Sequence, residues 1–154
     1  LPVENLADAQ RMVCWYSKRW KIEVMHRVLK SGCKVEERQL QNAQRQHPMI
    51  AMDLIVACYL MGLCQAARSN PTQSALDWVD EKEIRTLQTY FKLPSAALDE
   101  MEVAQLVEHL ACLGGHLSRK GDGPPGAEVR WRGLTKLRAI TEMWEVMSTN
   151  LEDD

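Results

Sequence analysis

The sequence predicts an all-α protein, a helical bundle of about five helices, and three observations carry that expectation. No stretch alternates apolar and polar residues for long enough to make a strand. The composition has one Phe and eight Gly among many Leu, Ala, Met, Gln and Glu, residues that lose little on entering a helix. Clear stop signals, at Ser31-Gly32, Asn70-Pro71, Leu93-Pro94 and Gly114-Gly115, cut the chain into segments of helical length.

In chain order, the first helix is expected from Ala9 to Leu29 or Lys30, with Asp8 as N-cap and Ser31-Gly32 as the stop. The polar stretch Lys34 to His47 reads as partly helical. Pro48 then opens or kinks a second, apolar helix that continues to Arg68. Asp80 followed by Glu83 forms a capping-box pattern and starts a shorter helix ending near Phe91. A further helix covers Asp99 to Leu113. Lys120 to Gly126 is a loop rich in Gly and Pro, and a last helix spans Val129 to Met147 before an acidic tail that is expected to fray.

At 154 residues the chain suits one domain with an appended element, and 45% hydrophobic with 26% charged residues is ordinary for a globular protein. Cys14, Cys33, Cys58, Cys64 and Cys112 form no C-x-x-C pair, which reads as reduced thiols in a cytoplasmic protein. The most apolar run, Met49 to Ala67, is interrupted by Asp53 and Gln65, so a buried helix is expected there and no membrane partner. The chain begins at Leu1 without an initiator Met, as a fragment of something longer would. Net charge is −2, but it is unevenly spread. Arg11 to Arg45 holds nine basic and three acidic residues, Pro71 to Leu113 three and eight, and His116 to Arg138 six and two. His26, His47, His109 and His116 show no metal-ligand spacing, and no Ser or Cys has a His and an acid at a recognisable motif spacing.

The segment Tyr16 to Lys30 is the informative one. A helix turns about 100° per residue, so relative to Tyr16 the wheel puts Arg19 near about −60°, Glu23 about −20°, Arg27 about +20° and Lys30 about −40°. One narrow stripe then holds a carboxylate among three cations, with a phenol at one end. Behind it lie Trp15, Ile22, Met25, Val28 and Leu29, an apolar back. A carboxylate can hold a divalent cation, and cations beside it can hold phosphate oxygens. The plain alternative is ion pairing, since Arg19 and Arg27 stand four residues either side of Glu23.

Tyr, two residues, Arg, three residues, Glu, six residues, Lys is the signature around the last acidic residue of insertion-sequence-four-type DDE transposases. This chain resembles that family through Tyr16, Arg19, Glu23 and Lys30. Two further stretches resemble it in family order: Gly32 to Leu40, and Gly114 to Asp122 with Gly123, Pro125-Gly126 and Trp131-Arg132-Gly133-Leu134. His116 replaces a usual aromatic and Pro48 interrupts a helix, though neither touches the signature.

The resemblance implies a cut-and-paste DNA transposase whose RNase H-like catalytic domain uses two Asp and one Glu to bind Mg²⁺. Such enzymes nick the transposon end, form and open a hairpin, and transfer the strand into target DNA. Residues 1–33 would be the last helix of that catalytic domain and 34–154 a helical dimerisation domain. Glu23 would be the third metal-binding carboxylate. Arg19 and Lys30, with Arg27 as a weaker candidate, would contact transposon-end phosphates, and Tyr16 would support the same backbone. The protein would work in the bacterial cytoplasm with the nucleoid.

Only Asp8 precedes Glu23, so the two catalytic Asp are absent, and the fragment is expected neither to cleave DNA nor to bind Mg²⁺ with useful affinity. Dimerisation in the Tn-five branch of the family lies after the signature. Here Leu137, Ile140, Trp144, Met147 and Leu151 recur at spacings of three and four, a seam that could join two copies or pack on the chain's own helices. The basic loop Arg119-Lys120, with Arg130 and Arg132, reads equally as a DNA contact or a solvated turn. The competing functional class is a non-enzymatic helical module that binds a protein partner, with the signature decayed or accidental.

Overall fold

Side-chain caps start several of the helices in the computed structural model, which describes residues 2–37, 42–94 and 100–152, the side chains of 43 and 150–152 excepted. Asn5 precedes α1 (Leu6–Ser17) in an extended conformation, and its side-chain oxygen accepts the Asp8 N–H at 2.9 Å. Asn5 therefore replaces Asp8 as the expected cap. Asp8 sits in the first turn, where its carboxylate takes the Arg11 guanidinium at 2.6 Å and meets the positive end of the helix dipole.

The long first helix that the periodicity predicts is broken in two. After α1 the chain tightens, with Lys18 N–H reaching Trp15 O, Arg19 reaching Tyr16 O and Ile22 reaching Arg19 O, each at 3.0 Å and each an i→i+3 bond. Then α2 (Trp20–Arg27) resumes and widens into a π-helical turn, Val28–Gly32, closed by Cys33 N–H on Val28 O at 2.9 Å. Lys34 follows in the left-handed region at φ 54°, and a 3-10 turn covers Val35–Glu37. The apolar back also differs from expectation. Val28 is buried, but Trp15 is 51% and Ile22 52% exposed.

Helix α3 (Ala43–Ser69) starts before Pro48 and runs through it. Pro48 falls in the second turn, so the helix forgoes one backbone bond early in its length and continues. The chain's compact units divide inside α3, Leu1–Ala57 forming one and Cys58–Asp154 the other. This division lies elsewhere than the family-based boundary between residues 33 and 34. By length and mean hydropathy, 1.8 over its best window, α3 could also cross a membrane, and 28% of that window is buried.

The second unit holds the main core. Leu60, Leu63 and Ala66 of α3 are buried, as are Ile84 and Leu87 of α4 (Glu81–Phe91). Leu106 and Leu110 of α5 (Val103–Leu113) and Leu134 and Leu137 of α6 (Ala127–Glu152) complete it. The capping box of α4 is present as the sequence predicts. Asp80 accepts the Glu83 N–H at 2.8 Å, and Glu83 accepts the Asp80 N–H at 3.2 Å. Helix α5 begins later than expected, behind Glu102, whose N–H donates to the Gln105 side chain at 3.0 Å, and the expected start at Asp99 lies outside the described residues. Helix α6 is longer at both ends than the expected 129–147. The described residues contain no strand, only an isolated bridge between Ser74 and Glu102. The fold is all-α.

Candidate functional site

The residues of the signature stripe are placed by the joint between α1 and α2. In a 3-10 turn residues three apart eclipse one another, and Tyr16 and Arg19 bracket such a turn. The Arg19 guanidinium accordingly lies over the Tyr16 ring, 5.5 Å from its centroid. Helical spacing then carries Arg19 on to Glu23, four residues along, at 2.8 Å. Phenol, guanidinium and carboxylate thus form one continuous line across the break. Arg19 and Glu23 are each 57% exposed at the side chain, and Tyr16 is 71% exposed. The Glu23 carboxylate faces solvent, not an apolar interior.

The other two cations of the stripe divide. Arg27 is exposed at the end of α2, and among the described residues it has no carboxylate partner. Lys30 falls in the π-helical turn, where the wider winding ends the regular 100° advance. Its ammonium pairs with Glu36 at 2.7 Å. Glu36 is a partner of Lys30 that the helix wheel does not show. The signal was present, since Glu36-Glu37 is the one pair of adjacent acids in the basic stretch from Arg11 to Arg45. No helical rule, however, links residues six apart across Gly32.

A divalent ion does not fit these side chains as they stand. Among the described residues no three His, Cys, Asp or Glu gather into a metal-holding group. Glu23 offers one carboxylate, already held by a guanidinium. Hard divalent cations take several oxygen ligands, and a cation beside the only carboxylate opposes a second positive charge. What these side chains offer by themselves is exposed guanidinium and ammonium donors, two of them paired with carboxylates, groups that bind anionic oxygens.

The expected seam on α6 also splits. Leu137 is wholly buried in the second unit's own core and Ile140 is half-buried. Trp144, 40% exposed, and Met147, 57% exposed, face outward together with Met143 and Val146. The Leu151 side chain lies outside the described residues. In the basic loop, Arg119 and Lys120 are exposed in a turn closed by Asp122, which accepts the Arg119 N–H at 2.9 Å. Arg130 is turned towards the protein instead, with its guanidinium 3.5 Å from the Cys64 sulfur, and Arg132 pairs with Glu128 at 3.7 Å.

No protein-family model matches the chain.

Proposed function

We propose that this chain is the C-terminal part of a cut-and-paste DNA transposase, supplying the third acidic residue of the catalytic set, phosphate contacts to the transposon end, and a surface for pairing two transposases. One observation carries the reading. Tyr16, Arg19 and Glu23 form a single solvent-facing line, with Arg19 in contact with both neighbours. That is the order of groups the insertion-sequence-four signature requires. Exposed pairs of this kind are each worth only a few tenths of a kcal/mol to stability, so fold stability is a poor reason to hold them there. In the whole enzyme Glu23 would join two Asp from the preceding catalytic domain around Mg²⁺, and Arg19, Arg27 and Lys30 would meet DNA phosphates.

Duplex DNA binding by the full chain tests the phosphate role. Arg19→Ala, Arg27→Ala and Lys30→Ala should each weaken binding irrespective of base sequence. Each should also reduce the slope of log affinity against log salt by about 0.9, the loss of one phosphate contact. Binding that none of the three alters would remove the phosphate role and favour the competing reading, a helical module for a protein partner. The exposed apolar end of α6 suits that reading as well as it suits pairing of transposases. The reading frame directly upstream of Leu1 separates the two: a transposase parent requires two Asp-bearing strand segments encoded there, and an unrelated domain would sink the assignment.

A further inference from the structure

We infer that Glu36 is a positioning residue that occupies Lys30 in the free protein, standing in for a DNA phosphate that must displace it. This rests on the reading that the stripe meets the DNA backbone. The pair does not arise from helix spacing. Lys30 lies on the π-helical turn Val28–Gly32, and the chain then turns through Lys34 at φ 54° into the 3-10 turn Val35–Glu37. That path brings the Glu36 carboxylate back to the Lys30 ammonium at 2.7 Å. The adjacent acid takes a different cation, since Glu37 accepts from Lys34 at 3.0 Å. Two neighbouring glutamates are thereby divided between two lysines, and only one of these lysines, Lys30, belongs to the sequence signature.

A carboxylate and a phosphodiester offer an ammonium the same thing, an anionic oxygen at hydrogen-bond distance, so they compete for it. The competition is mild. Lys30 and Glu36 are 62% and 67% exposed at the side chain, and an exposed pair of this kind holds its partner by a factor of up to about five. Lys30 is thus held loosely on the π-helical turn, and a DNA backbone, which offers many anionic oxygens at once, displaces Glu36 more readily than a single monovalent anion does.

The test is fluorescence anisotropy of a short labelled DNA duplex with the full chain at low salt, using Glu36→Gln, Glu37→Gln, Lys30→Gln and the double variant Glu36→Gln with Lys30→Gln. Glu36→Gln should tighten binding about two- to fivefold, more than Glu37→Gln, and the gain should vanish when Lys30 is also Gln. Equal gains from the two glutamate variants, or a gain that persists without Lys30, would mean a general charge effect and overturn the inference. If Lys30→Gln weakens binding while Glu36→Gln changes nothing, the masking is wrong and the DNA reading stands. If no protein in the set binds the duplex, both fall together.

Discussion

At the scale of single residues, burial and backbone conformation decide more than charge. Tyr59 packs edge-on against Trp78 with ring centroids 5.7 Å apart, and its hydroxyl donates to the Trp78 carbonyl. Burial raises the phenol above its ordinary pKa of 10.0, the nearby Arg138 guanidinium pulls it back in part, and Glu83 adds to the rise. The folded value therefore lies above the unfolded one. The contribution of Tyr59 to stability is full below pH 10.0 and falls as pH climbs through the folded value. Urea unfolding across the alkaline range should show that decline in the native protein and lack this component in Tyr59→Phe. Near neutrality the same variant should be less stable by about 1–2 kcal/mol, because the Trp78 carbonyl loses its donor. Lys92 gives the opposite sign. It closes α4 in the left-handed region at φ 53°, where a side chain is strained and glycine is not. Lys92→Gly should stabilise the fold by about 1 kcal/mol, read as a higher urea midpoint at unchanged slope. A lower midpoint would mean that the lysine side chain contributes packing which outweighs the strain.

At the scale of elements, two glycines set how closely α5 and α6 approach. A methyl group on Gly133 would stand 1.8 Å from the Leu110 carbonyl oxygen, and one on Gly114 would stand 1.9 Å from that of Val129. Both obstacles are backbone, so no rotamer change relieves them. Gly133→Ala should cost about 3 kcal/mol by forcing the helices apart, whereas Gly123→Ala, which meets open space, should leave the unfolding midpoint nearly unchanged. Equal midpoints for the two variants would show that the helix pair adjusts freely. Neither glycine's contact is visible in sequence, because each depends on a helix from elsewhere in the chain. What was legible is what local chemistry determines: the Asp80–Glu83 box, the stop after Ser69, and the order Tyr16, Arg19, Glu23 along one face. The helix wheel assumes one uniform winding, and the chain departs from it twice. The tight turn at Lys18-Arg19 kept Arg19 in line, since eclipsed positions still meet. The wide turn at Val28–Gly32 sent Lys30 to Glu36, which no wheel could show. Burial was the weaker inference. An apolar residue on a predicted back face says only that it can be covered, and Trp15 and Ile22 remain exposed.

At the scale of the whole molecule, the proposed pairing of two chains narrows to the last turns of α6. Helix α4 binds the middle of α6 through Thr86 and Thr141, whose hydroxyls meet at 3.0 Å, and through Glu83 and Arg138 at 3.4 Å. Those contacts, with buried Leu134 and Leu137, commit that stretch of α6 to the chain's own core. Leu137 therefore cannot serve a partner without unfolding the unit, and Leu137→Ala should act on stability, by about 2–5 kcal/mol, and only indirectly on association. Beyond Thr141 the balance changes. Met143, Val146 and Met147 are exposed, and Trp144, 40% exposed, lines a groove with Lys82, Arg85 and Thr86 of α4; Trp is among the residue types that dominate interface energies. Two turns of helix are a small patch, whereas stable interfaces bury on the order of 1,200 Å² or more in total. A dimer held there alone should be weak and in exchange with monomer. Sedimentation should therefore show a mass that rises with protein concentration. Trp144→Asp combined with Met147→Asp should abolish that rise while leaving the circular dichroism and the urea midpoint unchanged, since neither side chain is part of the core. A concentration-dependent dimer that survives both aspartates would place the contact elsewhere and remove α6 from the account of pairing.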